Sequence, residues 1–272
     1  MLAKDHGLSI VRACKLLRLS RTAWYRRPGS RMERDRGVIE VLNEIVSRKP
    51  RWGFWKLHDR LRLEGHCINH KKLHRVYCAM ELNLPRRTRR RVPVRPRRPL
   101  SAPSELNVVW AVDFMADALY SGRWFRTLNV IDEGNRLALG IEVATSIPSA
   151  RVIRVLDQLV EMHGTPGALR VDNGAELTSI AFTEWCEERK IELFFIEPGK
   201  PDQNAFIERF NRTYREEVLD AHLFDSIDQV RELTESWIPE YNEERPHDSL
   251  GRVPPLTLCQ GNQQRSHSEL CV

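Results

Sequence analysis

Residues 108–144 read VVWAVDFMADALYSGRWFRTLNVIDEGNRLALGIEVA. Three apolar runs, Val108–Met115, Trp124–Ile131 and Leu137–Ala144, are separated by the turn-forming pairs Ser121-Gly122 and Gly134-Asn135. Runs of this length, bounded by such pairs, form strands, and the first two form a hairpin. Beyond them the period changes. Val152, Val155, Leu156 and Leu159 recur at helical spacing from Ser149 to about Met162. A short strand at Ala168–Val171, a helix at Phe182–Arg189, a fifth, buried strand at Ile191–Ile196 and a helix from Asn204 to about Val218 complete the order. Three strands, helix, strand, helix, strand, helix describe an α/β domain on a mixed five-stranded sheet over 105–220, with a C-terminal helix and tail over 221–272.

Three carboxylates stand out in that layout. Asp113 interrupts the apolar strand VVWAVDFM, where an uncompensated charge costs several kcal/mol. Asp172 ends a strand just before Asn173-Gly174, the place where open sheets of this kind bind ligands. Glu208 lies in the first turns of the helix that follows the loop Pro198-Gly199-Lys200-Pro201, and 35 residues separate it from Asp172. Singly, each has a bland alternative: a buried acid, a turn former, a solvated helix residue. Asp117, Asp132 and Glu176 are also acids near turns and are taken as structural or as supports behind the site. Order, strand placement and spacing together set the first three apart. Oxygen-only ligands suit Mg2+ or Mn2+. Two such ions about 4 Å apart activate the attacking oxygen and stabilise the leaving oxygen of an in-line displacement. On that basis Asp113 bridges the ions, Asp172 holds one and Glu208 the other.

Outward toward the amino terminus the charge changes sign. Residues 1–104 hold 27 Lys and Arg against 8 Asp and Glu, or +19; the rest keep 16 of the 43 basic and 29 of the 37 acidic residues, or −13. Such segregation points to a polyanion, because neutralising phosphates releases counterions. Within 1–30, Ser9–Leu17 carries Ile10, Ala13, Leu16 and Leu17 at helical spacing, Arg18-Leu19 turns, and Ser20 caps a basic helix Arg21–Arg27 with Trp24 inward, a helix-turn-helix-like segment. A second such unit fills 31–84. Val38, Leu42 and Ile45 line one helix that Pro50 ends, Phe54–Leu63 forms another broken at Gly65, and Asn69 caps a third from His70 to about Leu82. That third helix displays Lys71, Lys72 and Arg75 for phosphate contacts. His66, His70, His74 and Cys78 invite a zinc reading, but a structural site needs four ligands and no second cysteine lies near. Residues 85–103, with eight arginines, five prolines and no acid, form an extended linker over 85–104; Arg86, Arg87, Arg89, Arg90 and Arg91 are its candidate DNA contacts.

The stretch from Trp110 to Leu250, with its D, D-35-E spacing, resembles the integrase core of retroviruses and bacterial insertion sequences. FIEPGKPDQNAFIERFNRTYREEVLDAHLF and YNEERPHDSLGRVPP resemble the second-reading-frame transposase of the IS-three insertion-sequence family, as does RWGFWKLHDRLRLEGHCINHKKLHRVYCAMEL upstream. The similarity covers nearly the whole chain. It implies a ribonuclease-H-like core preceded by all-α helix-turn-helix domains. It also implies a metal-dependent transposase that frees a 3′-OH at element ends and joins it to new DNA without a covalent protein link. The family's basic residue seven beyond the glutamate falls on Arg215, a phosphate holder; Arg212, at four, is a further DNA contact. Asn204 orients Glu208 or touches DNA, and His247 is structural or DNA-contacting rather than catalytic. The sequence departs from relatives at Phe114-Met115-Ala116, which puts the hydrogen bonding beside Asp113 in question. Implied partners are double-stranded DNA, both terminal repeats and target, a homo-oligomer on that DNA, and an upstream-frame protein joined by frameshifting.

Scattered cysteines, no C-x-x-C pair, no secretion-signal layout and no bilayer-length apolar run point to a cytoplasmic, nucleoid-associated protein with reduced thiols. Two other functions fit parts of the chain: a catalytically silent DNA-binding regulator of transposition, and a hydrolase of RNA–DNA hybrid.

Overall fold

The computed structural model describes residues 7–25, 31–85, 105–197 and 204–258. The linker arginines Arg86, Arg87, Arg89, Arg90 and Arg91 therefore lie outside the described residues.

The five strands are β1 Val109–Ala118, β2 Trp124–Asp132, β3 Ala138–Ala144, β4 Ala168–Val171 and β5 Glu192–Phe195. They assemble in the order β3-β2-β1-β4-β5, antiparallel across the first three and parallel across the last three. This is the mixed five-stranded sheet that the strand and helix order predicts. The period-2 alternation of β1 divides the core between its faces. Trp110 and Val112 face a layer closed by α6 (Ser149–His163) and α7 (Ile180–Glu188), with Leu156, Leu159, Phe182 and Trp185. Ala111 and Met115 face the opposite layer, closed by α8 (Ala205–Tyr214) and α9 (Ile227–Pro239), with Ile207, Phe210, Tyr214 and Trp237. Asp113 shares the parity of Ala111 and so points toward α8.

One of the acids set aside from the site shows why. Asp132 is fully buried, and its two oxygens accept from the backbone N–H groups of Gly134 and Asn107 at 2.7 Å each, which ties the start of the domain to the β2–β3 turn. Asn242 clamps β3 through the N–H and C=O of Ala138, both at 2.9 Å, and Arg231 Nε donates to the Val143 carbonyl at 3.1 Å. The segment after 220 is thus bonded to the edge of the sheet. α8 runs on into a π-helical turn at Arg215–Leu219, and α9 into another at Glu240–Glu244.

The basic amino-terminal units are all helical: α1 Ile10–Leu16 and α2 Arg21–Tyr25, then α3 Arg31–Arg48, α4 Phe54–Leu63 and α5 His70–Ala79. Asn69 caps α5 as expected, its side chain accepting from Lys71 N at 2.9 Å. Val38, Leu42, Ile45, Leu57, Leu61, Leu73 and Val76 form a separate small core. Ion pairs seat this unit on the catalytic domain: Lys49 with Glu240, Arg60 with Glu244 at 3.7 Å, and Arg252 with Asp59 at 3.6 Å.

Two expectations need correction. β5 is not buried: it is the outermost strand, and Glu192 and Phe195 are exposed because only β4 flanks it. In α1, Leu16 and Leu17 are exposed while Ala13 and Cys14 are buried. A seven-residue helix packed on the five-residue α2 covers a single stripe, and the small side chains take it. Trp24 is half-buried.

Candidate active site

β1 and β4 pair in parallel with Ala111 opposite Arg170. Continuing that register by two residues brings Asp113 opposite Asp172, just where the β4 strand has ended. α8 supplies the third acid. It packs along β1, with Asn211 Nδ2 donating to Asp113 Oδ2 at 2.7 Å, and Glu208 sits one turn earlier on the same helical face. Glu208 itself is exposed, whereas Asp113 and Asp172 are half-buried. The mutual influence is electrostatically visible: burial first, then the charges of Asp172 and Glu208, push the Asp113 carboxyl up to about 6. Donors from Phe114 N, at 2.9 Å on Oδ1, and from Asn211 hold that rise in check. Among the described residues, no three carboxylate, imidazole or thiol groups stand close enough together to form a ready-made cage for a metal ion.

Sequence reasoning missed the device that fixes Asp113. A carboxylate only accepts, so Asn211 must turn its NH2 toward Asp113 and its carbonyl away. That carbonyl oxygen accepts from Asn129 Nδ2 at 2.7 Å, and Asn129 is the residue directly opposite Asp113 in the β1–β2 ladder. Asn129 is fully buried and its Oδ1 has no partner among the described residues. The available signals were an asparagine three positions beyond Glu208 and a polar residue inside the apolar β2 run.

Asp172 is held by its own turn. Its Oδ1 accepts from Gly174 N at 3.0 Å, and a Cβ at Gly174 would stand 2.9 Å from that oxygen. The loop beyond is pinned by an ion pair between Glu176 and Arg126 and by Ser149 Oγ donating to the Glu176 carbonyl at 2.8 Å. Arg126 also lies over the Phe114 ring at 4.3 Å. Phe114 therefore has a definite place, packed under the arginine that anchors the Asp172 loop.

The remaining expected residues have varied surroundings. Arg215 donates to Asp117 Oδ2 and to the Ala116 carbonyl, both at 3.0 Å, which aligns it along β1. Arg212 is exposed on α8. Asn204 is buried at the start of α8, with Oδ1 lacking a partner among the described residues. On α5, Lys71 is exposed, but Lys72 and Arg75 both pair with the buried Asp35 of α3, at 3.6 and 2.8 Å. Arg75 holds that carboxyl below its ordinary range. His247 is buried against Tyr241, its ring 4.8 Å away, which removes it from a surface contact. Cys78 Sγ lies 3.7 Å from His74 Nε2, a thiol–imidazole contact on one exposed stripe.

Residues 103–201 and 189–255 each match the integrase core domain, and residues 33–91 match an HTH-like domain. The 39.2 kDa protein of insertion element IS476 from Xanthomonas euvesicatoria is 42% identical over 91% of this chain and 71% of its own length. The 31.7 kDa protein of insertion element IS407 from Burkholderia multivorans is 36% identical over 92% of this chain and 90% of its own. The chain belongs to the IS-three family of insertion-sequence transposases. As a transposase of that family it carries an integrase core and an HTH-like DNA-binding domain. The magnesium-bound catalytic core of HTLV-2 integrase aligns over 58% of the chain and 97% of its own, at 17% identity and a TM-score of 0.47.

Proposed function

We propose that this transposase cuts the DNA strand at the ends of its insertion element and joins the freed 3′-OH to new DNA, with Asp113, Asp172 and Glu208 as the ligands of two Mg2+ or Mn2+ ions. The observation that carries this is the placement of Asp113, beside Asp172 along the parallel register and bonded through Asn211 to the helix that bears Glu208, where burial and the charges of the other two acids push its carboxyl up to about 6. A divalent cation relieves all of those penalties at once, and an all-oxygen donor set is the chemistry that hard cations select. When bound, such ions polarise the attacking and leaving oxygens of the phosphoryl transfer.

The chain's own residues do the positioning. Asn211 and Phe114 N each donate to one oxygen of Asp113, which fixes the carboxylate and leaves further acceptor capacity on both oxygens. Gly174 N fixes Asp172, and the rigid turn of α8 carries Glu208. Asp117 orients Arg215, whose other donors are available to a DNA phosphate; Arg212 extends the contact. The HTH-like unit brings Lys71, Lys72 and Arg75 to the duplex, and the linker arginines Arg86, Arg87, Arg89, Arg90 and Arg91 track its backbone. Double-stranded DNA, further copies of this chain and an upstream-frame partner are the macromolecules involved, in the cytoplasm. Among the described residues no helix is long and apolar enough to cross a membrane.

The test is strand transfer with oligonucleotides carrying the element ends, in Mg2+ or Mn2+. Asp172→Asn should abolish joined product while leaving duplex affinity intact. Wild-type product from that variant would refute the assignment.

A further inference from the structure

Asn129 sits in β2 among Leu128, Val130 and Ile131, and all four residues are fully buried. It pairs with Asp113 across the β1–β2 ladder, and residues directly opposite each other project from the same face of a sheet. Both side chains therefore point toward α8, where Asn211 lies between them. Asn211 Nδ2 donates to Asp113 Oδ2 and Asn211 Oδ1 accepts from Asn129 Nδ2, each at 2.7 Å. The direction of this chain of bonds is set at Asp113. A carboxylate only accepts, so the Asn211 carbonyl is turned away from it and needs a donor on its other side. Asn129 is that donor, and its own Oδ1 is left without a partner among the described residues. A buried carbonyl in that state lowers stability. Leucine has the same branching and would fill the layer without the penalty, so packing does not account for an amide at 129. Thr127, two residues back on the same face, also has a buried Oγ1 without a partner among the described residues, but it stands opposite Met115, outside the chain of bonds.

We propose that Asn129 is a positioning residue for the DNA-joining reaction: acting through Asn211, it holds the Asp113 carboxylate in the orientation that receives a divalent cation. This rests on the metal-dependent function proposed above. Without a donor at 129, the Asn211 carbonyl loses its tie to β2 and the amide is free to swing or to turn over. Turned over, it sets a carbonyl oxygen against the carboxylate, which repels it. Either movement releases Asp113 Oδ2 and leaves the Phe114 N bond on Oδ1 to fix the group. A carboxylate held at one oxygen samples orientations that do not bind a cation, and affinity falls accordingly. The donation from Asn129 also polarises the Asn211 amide, which makes its N–H a stronger donor to Asp113.

Mn2+ binding reads the positioning directly, with neither DNA nor turnover. Full-length protein freed of metal is titrated with MnCl2, and free Mn2+ is counted by its EPR signal. Asn129→Leu should weaken binding about tenfold, as removal of a partner that orients a metal ligand does. Asn211→Leu should weaken it at least as much, and the double variant no further than Asn211→Leu alone, because both act along one path. Asn129→Ser, too short to reach Asn211, should show the same loss and keeps the test open if leucine prevents folding. Thr127→Val removes the neighbouring unpartnered group of β2; as the packing control it should bind like wild type. Wild-type affinity in a folded Asn129 variant, an equal loss in Thr127→Val, or a double variant much weaker than Asn211→Leu would overturn the positioning role alone. Wild-type Mn2+ affinity in Asp113→Ala would sink the metal-binding role of the acids and this inference with it.

Discussion

Replacing Asp113 by asparagine should stabilise the metal-free protein at neutral pH while removing its chemistry. The carboxyl is raised to about 6 from an ordinary 3.8, by burial first and, among charges, by Asp172 and then Glu208. A folded-state pKa above the unfolded one means that the folded chain holds the proton more tightly. The stability this confers is present below the unfolded value and is lost as pH climbs from about 4 through about 6. At 1.36 kcal/mol for each unit, a shift of that size amounts to about 3 kcal/mol. Partial solvent contact makes about 2–3 kcal/mol the better figure. For a domain of this size that is a gain of about 5–10 °C in Tm at neutral pH. The pocket tolerates the amide. Phe114 N keeps its acceptor, and the new NH2 is accommodated if Asn211 and Asn129 both turn over, since Asn129 Oδ1 has no partner to lose among the described residues. Calorimetric melts in EDTA near pH 7.5 and near pH 4 measure the difference, with a gain expected only at the higher pH. Saturating Mg2+ should then raise the wild type toward the variant. An unchanged or lower Tm at neutral pH, or the same gain at both, would refute the electrostatic reasoning.

Asn211→Ala should destabilise the domain by about 2–4 kcal/mol in urea unfolding, because it removes a charged hydrogen bond and strands the Asn129 amide in the core; a loss under 1 kcal/mol would show that the relay is replaceable. Gly174→Ala sets a methyl 2.9 Å from Asp172 Oδ1, so strand transfer should fall at least about tenfold with little change in melting; unaltered turnover would mean that the turn can move aside. Asp35→Asn frees Lys72 and Arg75 and should tighten duplex binding several-fold at low salt, though the helical unit itself melts earlier; weaker binding would show that the ion pairs hold those side chains in their DNA-contacting posture.

Much of this was legible in the sequence, for physical reasons. β1 to β3 declare themselves by apolar runs between turn pairs, and α6 by its 3.6-residue stripe, since local pattern and final burial agree there. Asp113 and Asp172 are readable because a charge within or at the end of a buried strand needs an explanation. Asn129 and Asn211 were not: an asparagine carries no charge to explain, and its worth depends on a partner brought by tertiary packing. The two π-helical turns likewise leave no local mark. They coincide with long-range ties, Arg215 to Asp117 and Arg245 to Glu217, that no window of sequence contains. The basic count of the amino-terminal part was plain, yet it hid that Asp35 occupies two of the cations on α5. β5 was misjudged because a hydrophobic run fixes neither strand order nor edge position.

The last described stretch, from α9 to the bridge between His247 and Val253, covers one face of the sheet and also receives the HTH-like unit through Glu240, Glu244 and Arg252. Cutting the chain just before Trp237, as a premature stop codon would, therefore leaves every acid of the site in place and still bares Phe210 and Tyr214 to water. Genomic copies with such lesions should yield insoluble remnants rather than weakened enzymes.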